Sequence, residues 1–279
     1  MKQKPVIFLC VGATKAGTSW LFEQLAMHPE CHLRAIKELH YFNTFSQNCW
    51  NARLRFLGEQ AARIKPGSRM SADMASWMDV MRLRRLNLDA YLSYLCEGRG
   101  TKRVVADITP AYSLLSRQLL SRMAKIGDVR VLYLMRDPVE RLWSQIRMDA
   151  KRQSFVDHEI PAFSRRLLNE ALEMKGTAWP RGDYATIIPK LEAAIPADRL
   201  KFAFYETVTS QGGMNAICDF LGIARRAAAF DKRVHKGVEL SMETEDHARA
   251  MAALRPQYEY VARRMGNLPD AWQANLAGV

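Results

Sequence analysis

Three short segments hold residues whose types and spacing could do chemistry. The first is Gly12-Ala-Thr-Lys15-Ala16-Gly17-Thr18-Ser19-Trp20, which follows an apolar run at 5–11 and precedes an amphipathic stretch. A glycine loop between a strand and a helix presents backbone N–H groups and the positive end of the helix dipole, so it favours an anion. Lys15, inside the loop, would reach the terminal group of that anion, and Thr18 and Ser19 would add hydroxyls at the helix start. The spacing is not the G-x-x-x-x-G-K-[ST] of nucleoside triphosphatases, because the lysine stands two places before Gly17 and Thr18 follows it. The second segment, Arg136-Asp-Pro138-Val-Glu-Arg141-Leu-Trp-Ser144, again follows an apolar run. Pro138 suits the first turn of a helix, Ser144 would lie about two turns along it, and the planar fork of Arg136 suits bidentate contact with phosphate. The third, Lys37-Glu38-Leu39-His40-Tyr41-Phe42, joins a carboxylate and an imidazole to a lysine. Such a set can take a proton from a hydroxyl and steady developing charge; its plainer reading is a solvated Lys–Glu pair beside a core histidine.

Buried strands are expected at 5–11, 103–108, 130–135 and 200–205, and helices at 18–27, 80–96, 114–125, 138–152, 184–194, 213–221 and 243–265. Short β-branched runs alternating with longer amphipathic ones predict an α/β fold: one P-loop-like domain over 1–279, with a central parallel sheet flanked by helices on both faces. Ligands of such sheets gather at the carboxyl ends of the strands, where all three segments fall. The strand signal lapses at 151–181, which reads as an inserted helix and loop able to cover a site and meet an acceptor. A second loop, 225–242, is expected to cover a cofactor.

The chain has 279 residues, 48% apolar and 25% charged, which excludes a disordered or disulfide-stapled protein. Forty-one Lys and Arg against 29 Asp and Glu leave +12, arguing for an anionic partner. The basic pairs are scattered rather than gathered with aromatic residues on one face, so no nucleic acid is expected. They leave room for an anionic acceptor or peripheral contact with a membrane face. Five cysteines without a C-x-x-C pair predict no metal site and, with the lack of a spanning segment or signal peptide, a cytoplasmic location.

Lys15-Ala16-Gly17-Thr18-Ser19-Trp20 resembles the Lys-Ser-Gly-Thr-Thr-Trp loop of sulfotransferases that use 3′-phosphoadenosine-5′-phosphosulfate. The Arg-Asp-Pro segment with a serine eight residues after its arginine is similar to theirs, and Lys37-Glu38-Leu39-His40 resembles the Lys-Glu-x-His segment of the glycan-modifying, heparan type. The resemblance runs from residue 5 to about 240 and implies the following roles. Lys15 would contact the bridging oxygen and transferring sulfuryl group; Gly17, Thr18 and Ser19, with Ala16 in the same loop, would hold the 5′ phosphate; and Trp20 would stack on adenine. Arg136 and Ser144 would bind the 3′ phosphate, with Lys236 and Gly237 closing over it. Glu38 would be the base and His40 its support or alternative. Asp107-Ile-Thr109-Pro-Ala-Tyr112 resembles a Thr-Pro-x-Tyr stretch of the same group, linked there to the acceptor. The implied reaction is in-line sulfuryl transfer to a hydroxyl or amine of a small molecule or glycan, with no metal. The alternative, a P-loop small-molecule kinase, would take Asp107 or Asp137 for magnesium.

Overall fold

The computed structural model describes residues 4–229 and 239–278, and its centre is a sheet of five parallel strands in the order β2-β3-β1-β4-β5. These are β1 (Val6–Gly12), β2 (Cys31–Leu33), β3 (Val104–Ile108), β4 (Asp128–Met135) and β5 (Leu200–Phe204). Strand β1 lies between β3 and β4, and everything from Ile7 to Val11 is buried. That is why these residues read as an unbroken apolar run: a central parallel strand is covered on both faces. The chain passes from β1 outward to β2, returns to β3, and then crosses β1 to reach β4. The carboxyl ends of β1 and β4 therefore flank the point where the strand order reverses, the place where open parallel sheets bind ligands.

Helices cover both faces of the sheet. Those that matter for the site are α1 (Thr18–Ala26), α2 (Tyr41–Ser46), α3 (Trp50–Ala61), α4 (Arg69–Arg82), α5 (Leu88–Cys96), α6 (Arg117–Met123), α7 (Pro138–Gln153), α8 (Ile160–Leu172) and α9 (Tyr184–Ala194). After β5 come α10 (Tyr205–Val208), α11 (Gln211–Leu221), α12 (Thr244–Met265) and α13 (Asp270–Ala277). Pro138 opens α7 as its sequence requires, and the Asp137 carboxylate accepts the Glu140 N–H at 3.0 Å.

Several elements depart from expectation, three of them for plain physical reasons. The helix expected at 80–96 is two, because Arg84 takes a left-handed φ of 48° and Asn87 caps a fresh start by accepting the Ala90 N–H. Strand β2 has only three residues and pairs with β3 alone, too short for any periodic signal. Helix α3 buries only Trp50 and Leu57, so its apolar face is too thin to read from pattern.

Beneath 37–42 lies a cluster of aromatic rings. Tyr41 stacks on Tyr91 with centroids 5.0 Å apart and meets Trp77 and Trp50 edge-on, while Phe42 packs against Tyr112. The Tyr41 hydroxyl accepts the Asn87 N–H at 2.7 Å and so ties α5 to the same segment. A set of rigid rings, each with several close neighbours, gives the segment above it little room to move.

Candidate active site

The loop after β1 turns through Lys15 at φ 69° and Gly17 at φ 84°. Gly17 has no alternative: the Tyr205 ring lies where a Cβ would stand, and the left-handed backbone is strained for any other residue. Thr18 is buried at the first position of α1 and Ser19 follows it half-buried. Loop N–H groups and the start of α1 thus meet over the end of β1. The Lys15 ammonium reaches across to α7, with Nζ 3.6 Å from the Met148 sulfur. Burial lowers its pKa, and the charges of Arg136, Arg152 and Lys37 lower it further. The Glu38 charge opposes this only as the smallest of the causes, so a cation held this way gains when an anion arrives.

Arg136 stands at the end of β4, facing the same loop. One Nη donates to the Lys15 carbonyl at 3.4 Å, the other pairs with Glu140 at 3.1 Å, and the guanidinium lies over the Tyr205 ring. The backbone of Arg136 is clamped by the Tyr184 hydroxyl, which accepts its N–H and donates to its carbonyl at 2.6 Å. Ser144 sits half-buried on α7 two turns along.

The third segment closes the site from the β2 side. Lys37 donates to the Ser19 hydroxyl and lies 3.4 Å from one Glu38 oxygen; the other Glu38 oxygen is 3.5 Å from His40 Nε2. Burial pushes the Glu38 carboxyl up, but hydrogen bonding to His40 and the charges of Lys37 and His40 outweigh it and hold the group at about 2. Glu38 and His40 both have positive φ, 60° and 55°. This strained turn is over-determined: Arg53 donates to the carbonyls of Glu38 and Leu39, Thr109 Oγ1 accepts the His40 N–H, and the Tyr112 hydroxyl accepts the Tyr41 N–H. On the far side of the ring, His40 Nδ1 is 3.3 Å from Asn43 Oδ1, whose own amide nitrogen donates to Ala111.

The structure therefore brings Lys15, Gly17, Thr18, Ser19, Glu38, His40 and Arg136 to one edge of the sheet. Trp20 is 8% exposed and belongs to the core. Ala16 is buried in the loop. Lys236 and Gly237 lie outside the described residues. The chain on either side of them is anchored beside the site, at Ala229 by both amide atoms of Gln24 on α1 and at Leu240 by the Trp143 indole on α7. Asp107 is 2% exposed and takes hydrogen bonds from Tyr91, Tyr112 and Thr109, so it is a support, not an acceptor contact. Asp137 caps α7 and also accepts from Tyr258 and Asn275. Both carboxylates that a kinase would need for magnesium are engaged elsewhere. Among the described residues no cluster of His, Cys, Asp or Glu could hold a metal, and no helix is long and apolar enough to cross a membrane.

Sequence reading missed Tyr205, Arg53 and Arg152. Tyr205 follows directly on β5, and its place at a strand end was the available signal. Arg53 acts from a separate helix and left no local trace. Arg141 on α7 is buried and donates to the Ala178 carbonyl at 2.9 Å.

A loop bearing Lys15 and Gly17 after the central strand, a guanidinium at the end of the next, and a carboxylate–imidazole pair joined to the loop through Lys37 stand at one edge of a P-loop-like α/β fold. The family model described as "Sulfotransferase family" matches residues 5–227, and the chain belongs to that family. A sulfotransferase from Alicyclobacillus acidocaldarius superposes with TM-score 0.66 at 20% identity, covering 97% of this chain and 99% of that one. The sulfotransferase domain of the Synechococcus PCC 7002 olefin synthase gives 0.51 at 18% identity over 99% and 92%, and that of the curacin biosynthetic pathway 0.54 at 15% over 100% and 98%. No curated protein matches the sequence.

Proposed function

We propose that this sulfotransferase takes its sulfuryl group from 3′-phosphoadenosine-5′-phosphosulfate and passes it to an acceptor hydroxyl or amine, with Glu38 as base. The observation that carries this reading is the convergence of Lys15, Ser19 and Arg136 on the loop after β1, with the ionised Glu38 joined to it through Lys37. The residues fit such a donor: the Lys15 ammonium is part-buried among other cations, and the loop is pressed so close to Tyr205 that only glycine serves at position 17.

The donor supplies an activated sulfuryl group on a phosphate that can leave. Lys15 would hold that end and offset charge on the leaving oxygen, where a preorganised cation in a part-buried site acts most strongly. The N–H groups from Gly17 to Ser19 and the Ser19 hydroxyl would hold the 5′ phosphate. Arg136 and Ser144 would hold the 3′ phosphate, Arg136 by exchanging its bond to Glu140. Glu38 takes the acceptor proton, and His40 keeps its carboxylate aimed. Lys37 links the two halves, because the ammonium on Ser19 is also, after the hydrogen bond to His40, what holds Glu38 weakly basic. An anion at Ser19 would share that ammonium and make Glu38 a stronger base once the donor is in place.

Titration calorimetry with 3′,5′-bisphosphoadenosine, without metal and with ATP as control, tests the donor. Selective binding that is lost in Arg136→Ala is expected. No binding, or binding of ATP only with magnesium, would overturn the assignment.

A further inference from the structure

Beyond Lys15 a cleft of about 410 Å³ opens between α7, α8 and the 175–181 loop. Met148, which touches the Lys15 amine, is on α7 one residue before Asp149 and one turn before Arg152, both of which line the cleft. Arg152 lies close enough for its charge to act on Lys15. The Met148–Arg152 stretch of α7 thus links the cleft to Lys15, and the cleft is within the size range of small-molecule pockets.

Its walls are built. Asp149 is held from behind by Gln145, whose side-chain amide is fully buried and donates to Asp149 Oδ2 at 2.6 Å. The 178–182 wall is fixed by Arg141, which donates to the Ala178 carbonyl and packs so tightly on Gly182 that a Cβ there would overlap the guanidinium. Arg181 Nε, on a lining side chain, is buried with no partner among the described residues, as are Gln145 Oε1 and Arg141 Nε and Nη1 in the layer behind the wall. A buried donor left in this way on a lining side chain, as in Arg181, is rare and points to further hydrogen bonding there.

Five of the eleven lining residues are charged, with signs interleaved: Asp149 and Glu170 against Arg152, Lys175 and Arg181. A flat aromatic acceptor would strip water from these charges and return nothing to them. An anionic group would meet two carboxylates, and a cationic one three basic side chains. A hydroxyl both donates and accepts, so a ring carrying several of them can satisfy carboxylate and guanidinium at once.

Resting on the sulfuryl-transfer reading above, we infer that this cleft is the acceptor site, that its acceptor is a neutral polyhydroxylated ring, free or at the end of a glycan, and that Asp149 determines its specificity. A site built to hydrogen-bond hydroxyls rejects compounds lacking them far more strongly than an apolar pocket separates two hydrocarbons.

The test is titration calorimetry of the full chain with glucose, N-acetylglucosamine and cellobiose, against 4-nitrophenol and glucose 6-phosphate, with and without 3′,5′-bisphosphoadenosine. Cellobiose binding better than the monosaccharides would identify a glycan end, and the reverse a free sugar; either supports the inference. At least one neutral sugar is expected to bind, about ten-fold more weakly in the isosteric Asp149→Asn and in Arg181→Met, with nucleotide affinity unchanged. Preference for 4-nitrophenol or the phosphorylated sugar, no sugar binding at the solubility limit, or sugar binding indifferent to both substitutions would overturn it. Failure of the nucleotide alone to bind would sink the donor assignment, while the sugar titrations without nucleotide still decide the cleft.

Discussion

Glu38 and Asp107 stand near the same edge of the sheet and are driven in opposite directions. Glu38, 40% exposed, faces Lys37 and His40 and is held at about 2. Asp107, 2% exposed, is surrounded by the hydroxyls of Thr109, Tyr112 and Tyr91, and burial raises its pKa despite those three bonds. Neutral donors satisfy a buried carboxylate but do not replace the water it has lost; nearby cations do. The two are mechanically joined. Thr109 and Tyr112, fixed by Asp107, accept the backbone N–H groups of His40 and Tyr41, so the buried acid positions the segment on which the exposed acid works.

If one carboxylate works and the other supports, substitution should separate turnover from stability. The largest effect expected is on turnover in Glu38→Gln, a loss of about a thousand-fold in bisphosphoadenosine release with acceptor present, while the melting temperature falls by only about 2 to 4 °C as the partly screened pairing with Lys37 and His40 is lost. Lys15→Met should lower turnover by about a hundred-fold or more. It should also raise the melting temperature of the unliganded protein slightly, because it removes a charge whose pKa burial has depressed. A fall in melting temperature would show that Lys15 supports the fold as Asp107 does. Asp107→Ala should cost about 3 kcal/mol in denaturant unfolding by stranding the Tyr91 and Tyr112 hydroxyls, while bisphosphoadenosine affinity stays within about two-fold. An Asp107→Ala protein of normal stability would end the comparison.

The smallest effect is in acid. A depressed carboxyl adds stability that is complete above its unfolded pKa, near 4.5, and is lost as pH falls toward about 2. Asp107, with its pKa raised, acts in the opposite sense: its contribution is present below its ordinary value and declines as pH rises through the folded one. Stability measured against pH should therefore lose part of its acid slope in Glu38→Gln and steepen in Asp107→Asn. Equal slopes in the two variants would mean that their environments are not opposed.

The local order of the chain was enough for much of this. The apolar runs that became β1, β3 and β4 are buried on both faces and needed no partner to be recognised, and the glycine loop and Pro138 fall at strand ends where their chemistry is usable. Lys15, Glu38 and Arg136 could be singled out because each lies in a short segment whose neighbours suit the expected role, and the structure brings all three to one edge of the sheet. Sequence alone left open whether Glu38 is solvated or held between Lys37 and His40, and whether Asp107 is a contact or a strut. Those depend on residues far along the chain, such as Tyr91 for Asp107 and Arg53 for the Glu38 turn, and on how much water each carboxylate keeps. The same holds for the cleft beside α7, whose lining Asp149 and Ala178 are held from behind by Gln145 and Arg141. Their side chains look like any polar pair on a helix until packing turns that face inward. Periodicity and motif are properties of neighbours in sequence, whereas burial and electrostatic environment are set by neighbours in space, which only the folded chain assembles.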